Sequence, residues 1–250
     1  MKIAVCLKQV PDTEANIKIA SDQKTIDESA IKFIVNPYDE YAIEEALKLK
    51  ESQGAEAVIA ISLGPDRAKD ALRTAVAMGV DDVVLLKTSA NSSDALSTAK
   101  ILAAKIKELG ADMILLGKEA IDDGNMQVGP MLSELLNIPC ITVVTKLEVN
   151  GNSVKAEREI EGGVEVLETT MPCIITCQKG LNEPRFPSIR GVMMAKKKQI
   201  LEETVELEDA KLVVSSLTYP QARSEGKVVG EGAEAVSELI RLLREEAKVI

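Results

Sequence analysis

Along its first half the chain switches repeatedly between two hydrophobic patterns. Short runs rich in Val, Ile and Leu (Ile3 to Lys8, Ala57 to Ser62, Asp82 to Lys87, Asp112 to Gly117 and Cys140 to Thr145) alternate with longer stretches whose apolar residues recur every three or four positions. The runs predict buried strands and the stretches predict helices. In the first helical stretch Ala42, Ile43, Ala46, Leu47 and Leu49 form a stripe opposite Glu40, Glu44, Glu45, Lys48 and Glu51, with Asn36 and Pro37 placed as N-cap and first helical residue. Further helices over Asp66 to Met78, Asp94 to Leu109 and Gln127 to Asn137 meet stop signals at Gly79, Gly110 and Pro139. This alternation predicts an α/β fold with a doubly wound, mostly parallel, Rossmann-like sheet.

Two stretches break the rhythm. Ile17 to Asp27 and Val154 to Glu168 each place alternating residues around a polar or glycine turn, and both predict β-hairpins added to the sheet. Cys173-Ile174-Ile175-Thr176-Cys177 predicts one more core strand. Beyond Gly180 the pattern dissolves into Pro184, Pro187, Gly191 and the basic run Lys196-Lys197-Lys198. From about Glu206 the chain is strand-poor until the amphipathic stretch Glu234 to Ala247. Residues 1–205 therefore read as one α/β domain and 206–250 as a C-terminal arm, too short to bury a core of its own.

Composition narrows the chemistry. The chain has no histidine and no tryptophan, and only two Phe and three Tyr. Without His there is no Ser-His or Cys-His nucleophilic couple, no His-ligated metal and no imidazole base. A net charge of −10 opposes a polyanionic partner, so nucleic acid is not expected. No apolar run approaches membrane-spanning length and the N-terminus carries no signal-like segment, so the expected location is cytoplasmic, without membrane insertion. Cys6, Cys140, Cys173 and Cys177 all fall in apolar strand-like runs without C-x-x-C spacing, which predicts core thiols.

In an open parallel sheet, ligands bind beyond the carboxyl ends of the strands. Four rim loops qualify: Leu7 to Thr13, Val35 to Asp39, Leu63 to Asp66, and Gly117 to Pro130. In the last, Gly117, Gly124 and Gly129 permit close backbone approach, and the helix start that follows offers free N–H groups to a phosphate. Asp122 and Asp123 suit ribose hydroxyls or amino hydrogens better than phosphate. The same composition also fits a plain turn, and Asn36-Pro37 a plain helix cap. The spacing matches neither a dinucleotide fingerprint nor a P-loop, and two neighbouring carboxylates alone make no metal site.

Three segments carry a resemblance to a known family. Val35-Asn36-Pro37-Tyr38-Asp39 followed by Ala42-Ile43-Glu44-Glu45-Ala46, then Leu116-Gly117-Lys118-Glu119-Ala120-Ile121-Asp122-Asp123, and above all Leu181 to Ser188 continuing through Met194 to Ile200, resemble the beta (small) subunit of electron transfer flavoproteins in matching order. The resemblance implies a heterodimer with an alpha subunit holding a redox-active FAD, and an adenine nucleotide in this chain's own sheet crevice. That nucleotide would be touched by Cys6, Asn36, Pro37, Tyr38, Asp39, Leu63, Gly117, Lys118, Glu119, Ala120, Ile121, Asp122, Asp123, Gly124, Asn125, Met126, Gln127 and Val128. Thr13 and Tyr38 would lie toward the flavin of the alpha subunit.

Within residues 184–200, the resemblance implies a loop that recognises an acyl-CoA dehydrogenase or similar flavoprotein dehydrogenase, through Pro184, Arg185, Ile189, Met193 and Met194. The arm would wrap the alpha subunit. Where many AMP-holding members carry Gln-Thr-Gly-Gln, this chain has Gln127-Val128-Gly129-Pro130, similar to members that bind a second FAD and bifurcate electrons from NADH, with ferredoxin as a low-potential acceptor. No protein side chain is expected to be catalytic, since the flavin carries the redox chemistry. A stand-alone nucleotide-binding or adenylating domain would instead need a triphosphate-cradling Gly-rich loop ending in Ser or Thr, which the sequence lacks.

Overall fold

The computed structural model describes residues 1–88, 94–222 and 225–250. In chain order its elements are β1 (Lys2–Cys6), β2 (Gln9–Pro11), β3 (Phe33–Val35), α1 (Pro37–Gln53), β4 (Ala57–Gly64), α2 (Lys69–Met78), β5 (Asp82–Lys87), α3 (Ala95–Leu109), β6 (Met113–Gly117), α4 (Val128–Leu136), β7 (Cys140–Asn150), β8 (Ser153–Ile160), β9 (Gly163–Thr170), β10 (Cys173–Cys177), α5 (Ile189–Lys197), β11 (Leu201–Thr204) and α6 (Val236–Glu245). Nine strands form one sheet in the order β11-β5-β4-β1-β6-β10-β7-β8-β9. Pairing is parallel from β11 to β7 and antiparallel through β8 and β9.

The expected doubly wound architecture follows from side-chain alternation in the central strands. Ile3 and Val5 of β1 pack with Ala42, Ile43, Ala46, Leu72 and Ala75 of α1 and α2. Ala4 and Cys6 face Ala99, Leu102 and Leu132 of α3 and α4 on the other side. Both faces are covered, which is why these strands read as unbroken apolar runs. Helix ends form where their signals stand: Gly54 and Gly110 close α1 and α3 in the left-handed conformation, and Asn137 does the same for α4.

Several details differ from the sequence expectation. The first strand stops at Cys6, because Lys8 turns away to pair through its carbonyl with Asn36 N. The Ile17 to Asp27 hairpin is reduced to a single bridge between Ile19 and Ile26, and the strands that do pair there are β2 and β3. The second hairpin is present and longer, with β7 running on to Asn150 to join it. Residues 184–194 are not all loop: Ser188 Oγ accepts from Gly191 N (2.9 Å) and caps α5. Gly191 is required there, since a Cβ would lie 2.2 Å from the Ala77 carbonyl oxygen of α2. β11 adds a parallel edge strand beside β5.

The C-terminal arm packs sparsely. Its first part is tied to the domain by Lys211 N and Leu212 N donating to Asp94 (2.5 and 3.1 Å) and by Ile19 N donating to the Tyr219 hydroxyl (2.9 Å). Beyond this, Leu212, Val213, Tyr219 and Val228 are exposed, and Leu242 is the buried residue of α6.

Candidate functional site

The strand order β5-β4-β1-β6 reverses direction of winding at β1, so the carboxyl ends of β1 and β6 diverge into a crevice. A cleft of about 840 Å³, counting its open mouth, lies there.

Three loops are fastened together to make its walls. Asn36 sits at the N-cap position of α1 but does not cap with its side chain. Instead its Nδ2 donates to the Glu119 carbonyl (2.8 Å) and its Oδ1 accepts from Ile121 N (3.1 Å). Asp39, one turn on, is buried and accepts from Lys8 N (2.7 Å) and Gly117 N (2.9 Å), bridging the ends of β1 and β6. Lys8 Nζ reaches across to Asp122 (2.8 Å) and Asp123 (3.2 Å). The two carboxylates that would repel a phosphate are thereby paired with a cation.

The glycines act differently from the sequence expectation. At Gly117 a Cβ would lie 2.5 Å from Asp39 Oδ1 and 2.6 Å from Tyr38 Cβ, and at Gly129 one would lie 2.5 Å from Thr176 Cγ2. Their missing side chains let α1 and α4 approach the sheet, rather than admitting a ligand. Gly124 has open space around it and serves a turn at φ +63°.

Burial pushes the Asp39 carboxyl up to about 7, against the lowering pull of the Lys8 N–H, the Asn36 side chain and the Gly117 N–H. Burial also raises the Cys6 thiol to about 12, helped by Asp39 nearby, so Cys6 lines the cleft as a neutral, unreactive thiol. For Lys8 burial pulls downward, but Asp122 and Asp123 outweigh it and leave the ammonium above its ordinary value.

Of the candidate binding residues, Cys6, Asn36, Asp39, Leu63, Gly117, Lys118, Glu119, Ala120, Asp123, Asn125, Met126, Gln127 and Val128 line the cleft. Pro37, Tyr38, Ile121, Asp122 and Gly124 belong to the same loops but are not among the lining, and Ile121, Asp122 and Gly124 are exposed. The Tyr38 ring lies under Lys118 Nζ, 4.9 Å from its centroid. Thr13 is exposed, in a turn away from the cleft lining. Sequence reasoning misses Ala95, Thr98 and Leu102, which α3 brings in from the second face. The signal for them is the same carboxyl-end rule applied to the loop after β5, part of which, 89–93, lies outside the described residues.

The described residues of the cleft offer hydrogen-bonding and electrostatic recognition. At one wall α4 begins at Val128 with no side-chain cap from Gln127, and Val128 and Gly129, whose N–H groups have no partner within the helix, line the cleft. Among the described residues no group of His, Cys, Asp and Glu can hold a metal ion. No helix among them is long and apolar enough to cross a membrane.

Away from the cleft, Phe186 (94% exposed), Ile189 (85%), Met193 and Met194 present apolar side chains to solvent around the start of α5. Pro184 is half-buried beside them. Arg185 is turned inward: its Nε and one terminal nitrogen fork onto Glu44 (2.8 and 3.1 Å), and its terminal nitrogens also reach Glu51 (2.6 and 3.2 Å).

Fold and cleft together define a doubly wound α/β protein with an open cleft at the switch point of its sheet. Residues 23–208 match the family model described as the electron transfer flavoprotein domain. The chain is 45% identical to the electron transfer flavoprotein subunit beta of Bacillus subtilis (strain 168), with all of both chains covered. It is 36% identical to that of Dictyostelium discoideum, covering all of this chain and 99% of the relative. It is also 36% identical to the mitochondrial subunit beta of Oryza sativa subsp. japonica, with both chains covered in full. The chain belongs to the electron transfer flavoprotein family, as one of its beta subunits.

Proposed function

We propose that this chain pairs with an alpha subunit in a heterodimeric electron transfer flavoprotein. The pair moves electrons between NADH or acyl-CoA dehydrogenases and other redox partners through FAD held with the alpha subunit. The chain's own cleft holds an adenine nucleotide. The observation that carries this reading is the switch-point cleft itself, walled by 36–39 and 117–129 and ending on the uncapped start of α4. The residues fit the group: first-turn amides suit a phosphate, while Asn125, Gln127 and the carbonyls of the 117–127 loop offer donors and acceptors to ribose and adenine.

The Gln127-Val128-Gly129-Pro130 segment supports a second FAD as that nucleotide, and with it bifurcation of electrons from NADH toward ferredoxin. When bound, the flavin supplies hydride acceptance and one-electron transfer. The chain's residues bind and orient it: Asp39 and Asn36 hold the loops in register, Lys8 neutralises Asp122 and Asp123, and Cys6 and Leu63 keep water from the inner wall. A second reading, AMP with a purely structural role, is favoured by one observation. The Lys8 bridge spans the rim between the β1 and β6 loops, and a longer dinucleotide leaving on that side must displace it.

An alpha subunit as partner is supported by the arm at 206–250, which leaves most of its apolar residues uncovered. Exposed Ile160, Val164 and Val166 on the β8–β9 hairpin support it too. Phe186, Ile189, Met193 and Met194 form the dehydrogenase-docking patch. Four free cysteines are in keeping with a reducing, cytoplasmic setting. The test is to co-express the chain with its alpha subunit, denature the purified complex and identify the released nucleotides. Two FAD per heterodimer support bifurcation, one FAD with one AMP the simple carrier, and no flavin or adenine nucleotide overturns the reading.

A further inference from the structure

The side chain of Arg185 stands in the middle of the docking segment, yet its hydrogen bonds all go inward. Nε donates to Glu44 Oε2 (2.8 Å) and Nη2 to Glu44 Oε1 (3.1 Å), a two-point fork on one carboxylate. Nη1 and Nη2 also meet the two oxygens of Glu51 at 2.6 and 3.2 Å. The backbone N–H of Arg185 adds a further bond to Glu44 Oε2 (3.1 Å). Three residues earlier, Asn182 Nδ2 donates to the Tyr41 carbonyl (3.0 Å) and to Glu45 Oε2 (2.9 Å). Glu44 and Glu45 are both buried, so the partners are held rigidly by α1.

We infer that Arg185 is a positioning residue: clamped onto Glu44 and Glu51 of α1, it fixes the exposed apolar patch of Phe186, Ile189 and Met193 in the attitude that a partner dehydrogenase meets. The inference rests on the proposed docking role of that patch. Two observations point to a clamp at this point. Phe186 is the next residue and almost wholly exposed, so its side chain is not packed down by the described residues. Pro184 and Pro187 flank the segment, each without an N–H to give to a local hydrogen-bond network. The attachment to α1 also joins the patch to the cleft, because the same helix carries Asn36 and Asp39 at its other end. Lysine cannot replace the fork, since it offers a point charge on a flexible stem in place of a planar pair of donors.

The experiment uses the full chain co-purified with its alpha subunit, as wild type, Arg185→Gln and Arg185→Lys. Amide hydrogen exchange across 186–194 is read first. Losing charge-assisted hydrogen bonds is expected to speed exchange there by about tenfold or more in both variants. Exchange in β1 and β6, and nucleotide content, are expected to stay at wild-type values. Electron transfer with an acyl-CoA dehydrogenase reduced by its own substrate is read second, with KM for the dehydrogenase expected to rise by about tenfold and kcat to change little. Unchanged exchange at 186–194 overturns the clamp. Faster exchange with unchanged KM overturns its role in docking. A wild-type complex that passes no electrons to the dehydrogenase overturns the proposed docking reading instead, and the exchange measurement tells that failure apart from failure of the clamp.

Discussion

Replacing Gly117 by alanine probes the junction on which the cleft depends. Its backbone is not in the left-handed region, so alanine adds no dihedral strain and the whole effect is steric. The new Cβ would lie 2.5 Å from Asp39 Oδ1, 2.6 Å from Tyr38 Cβ and 2.8 Å from the Tyr38 carbonyl carbon. Two of these contacts are with backbone or a Cβ, which cannot swing aside, so α1 must move off the end of β6. Overpacking of this kind costs about 1–3 kcal/mol. The movement also stretches the Gly117 N–H bond to Asp39, of a class worth about 1.5–3 kcal/mol. A combined loss of about 3 kcal/mol lowers the unfolding midpoint by about 6–12 °C for a chain of this length. Gly124→Ala is the matched control: it meets no atom within 4 Å and carries φ +63°, so its cost is dihedral strain alone, about 1–2 kcal/mol. Thermal unfolding followed by circular dichroism, with the nucleotide content of each purified protein, reads both variants. A Gly117→Ala protein that melts with wild type and keeps its nucleotide would refute the reasoning.

Other expectations follow from the same geometry. Ile189→Ala is expected to weaken electron transfer with an acyl-CoA dehydrogenase while flavin content stays intact, and loss of flavin would mean the patch has another role. Lys8→Met leaves Asp122 and Asp123 uncompensated at the rim, and AMP affinity measured by calorimetry on nucleotide-free protein is expected to fall about tenfold, the scale of one charge-assisted interaction; unchanged affinity would remove Lys8 from the site. Burial holds Asp39 at about 7 when folded against an ordinary value of 3.8. Its contribution to stability is therefore fully present below about pH 4 and lost as pH rises through about 7, a change of about 4 kcal/mol. Urea unfolding across that range is expected to show a flatter pH dependence in Asp39→Asn than in wild type, and parallel curves would contradict the pKa assignment.

The sheet core was legible in the sequence because buried parallel strands leave unbroken apolar runs and their helices carry local start and stop residues. What escaped depends on distant partners. β2 and β3 are three residues each and exist only by pairing across the excursion between them. β11, Leu-Glu-Glu-Thr, reads as polar because it lies at the sheet edge against β5. The start of α5 hides among Pro184, Pro187 and Gly191, although Ser188 stands at the cap; only the closeness of Ala77 explains why glycine is needed inside a helix. The rim loops at the cleft could be placed by the carboxyl-end rule, but what their residues do could not. Asn36 looks like a helix cap and instead spends its side chain on Glu119 and Ile121, more than eighty positions away. Arg185 looks like a surface docking residue and is tied to Glu44 and Glu51.

The central claim is that an adenine nucleotide sits in this chain, at the switch point between β1 and β6, and not only in the alpha subunit. Photolabelling tests it most directly. The co-purified heterodimer, stripped of exchangeable nucleotide, is irradiated with 8-azido-AMP and digested, and the labelled peptides are sequenced. The label is expected in 36–39 or 117–129, suppressed by excess AMP or FAD. Label confined to the alpha subunit, or label in this chain that excess nucleotide does not suppress, would contradict it.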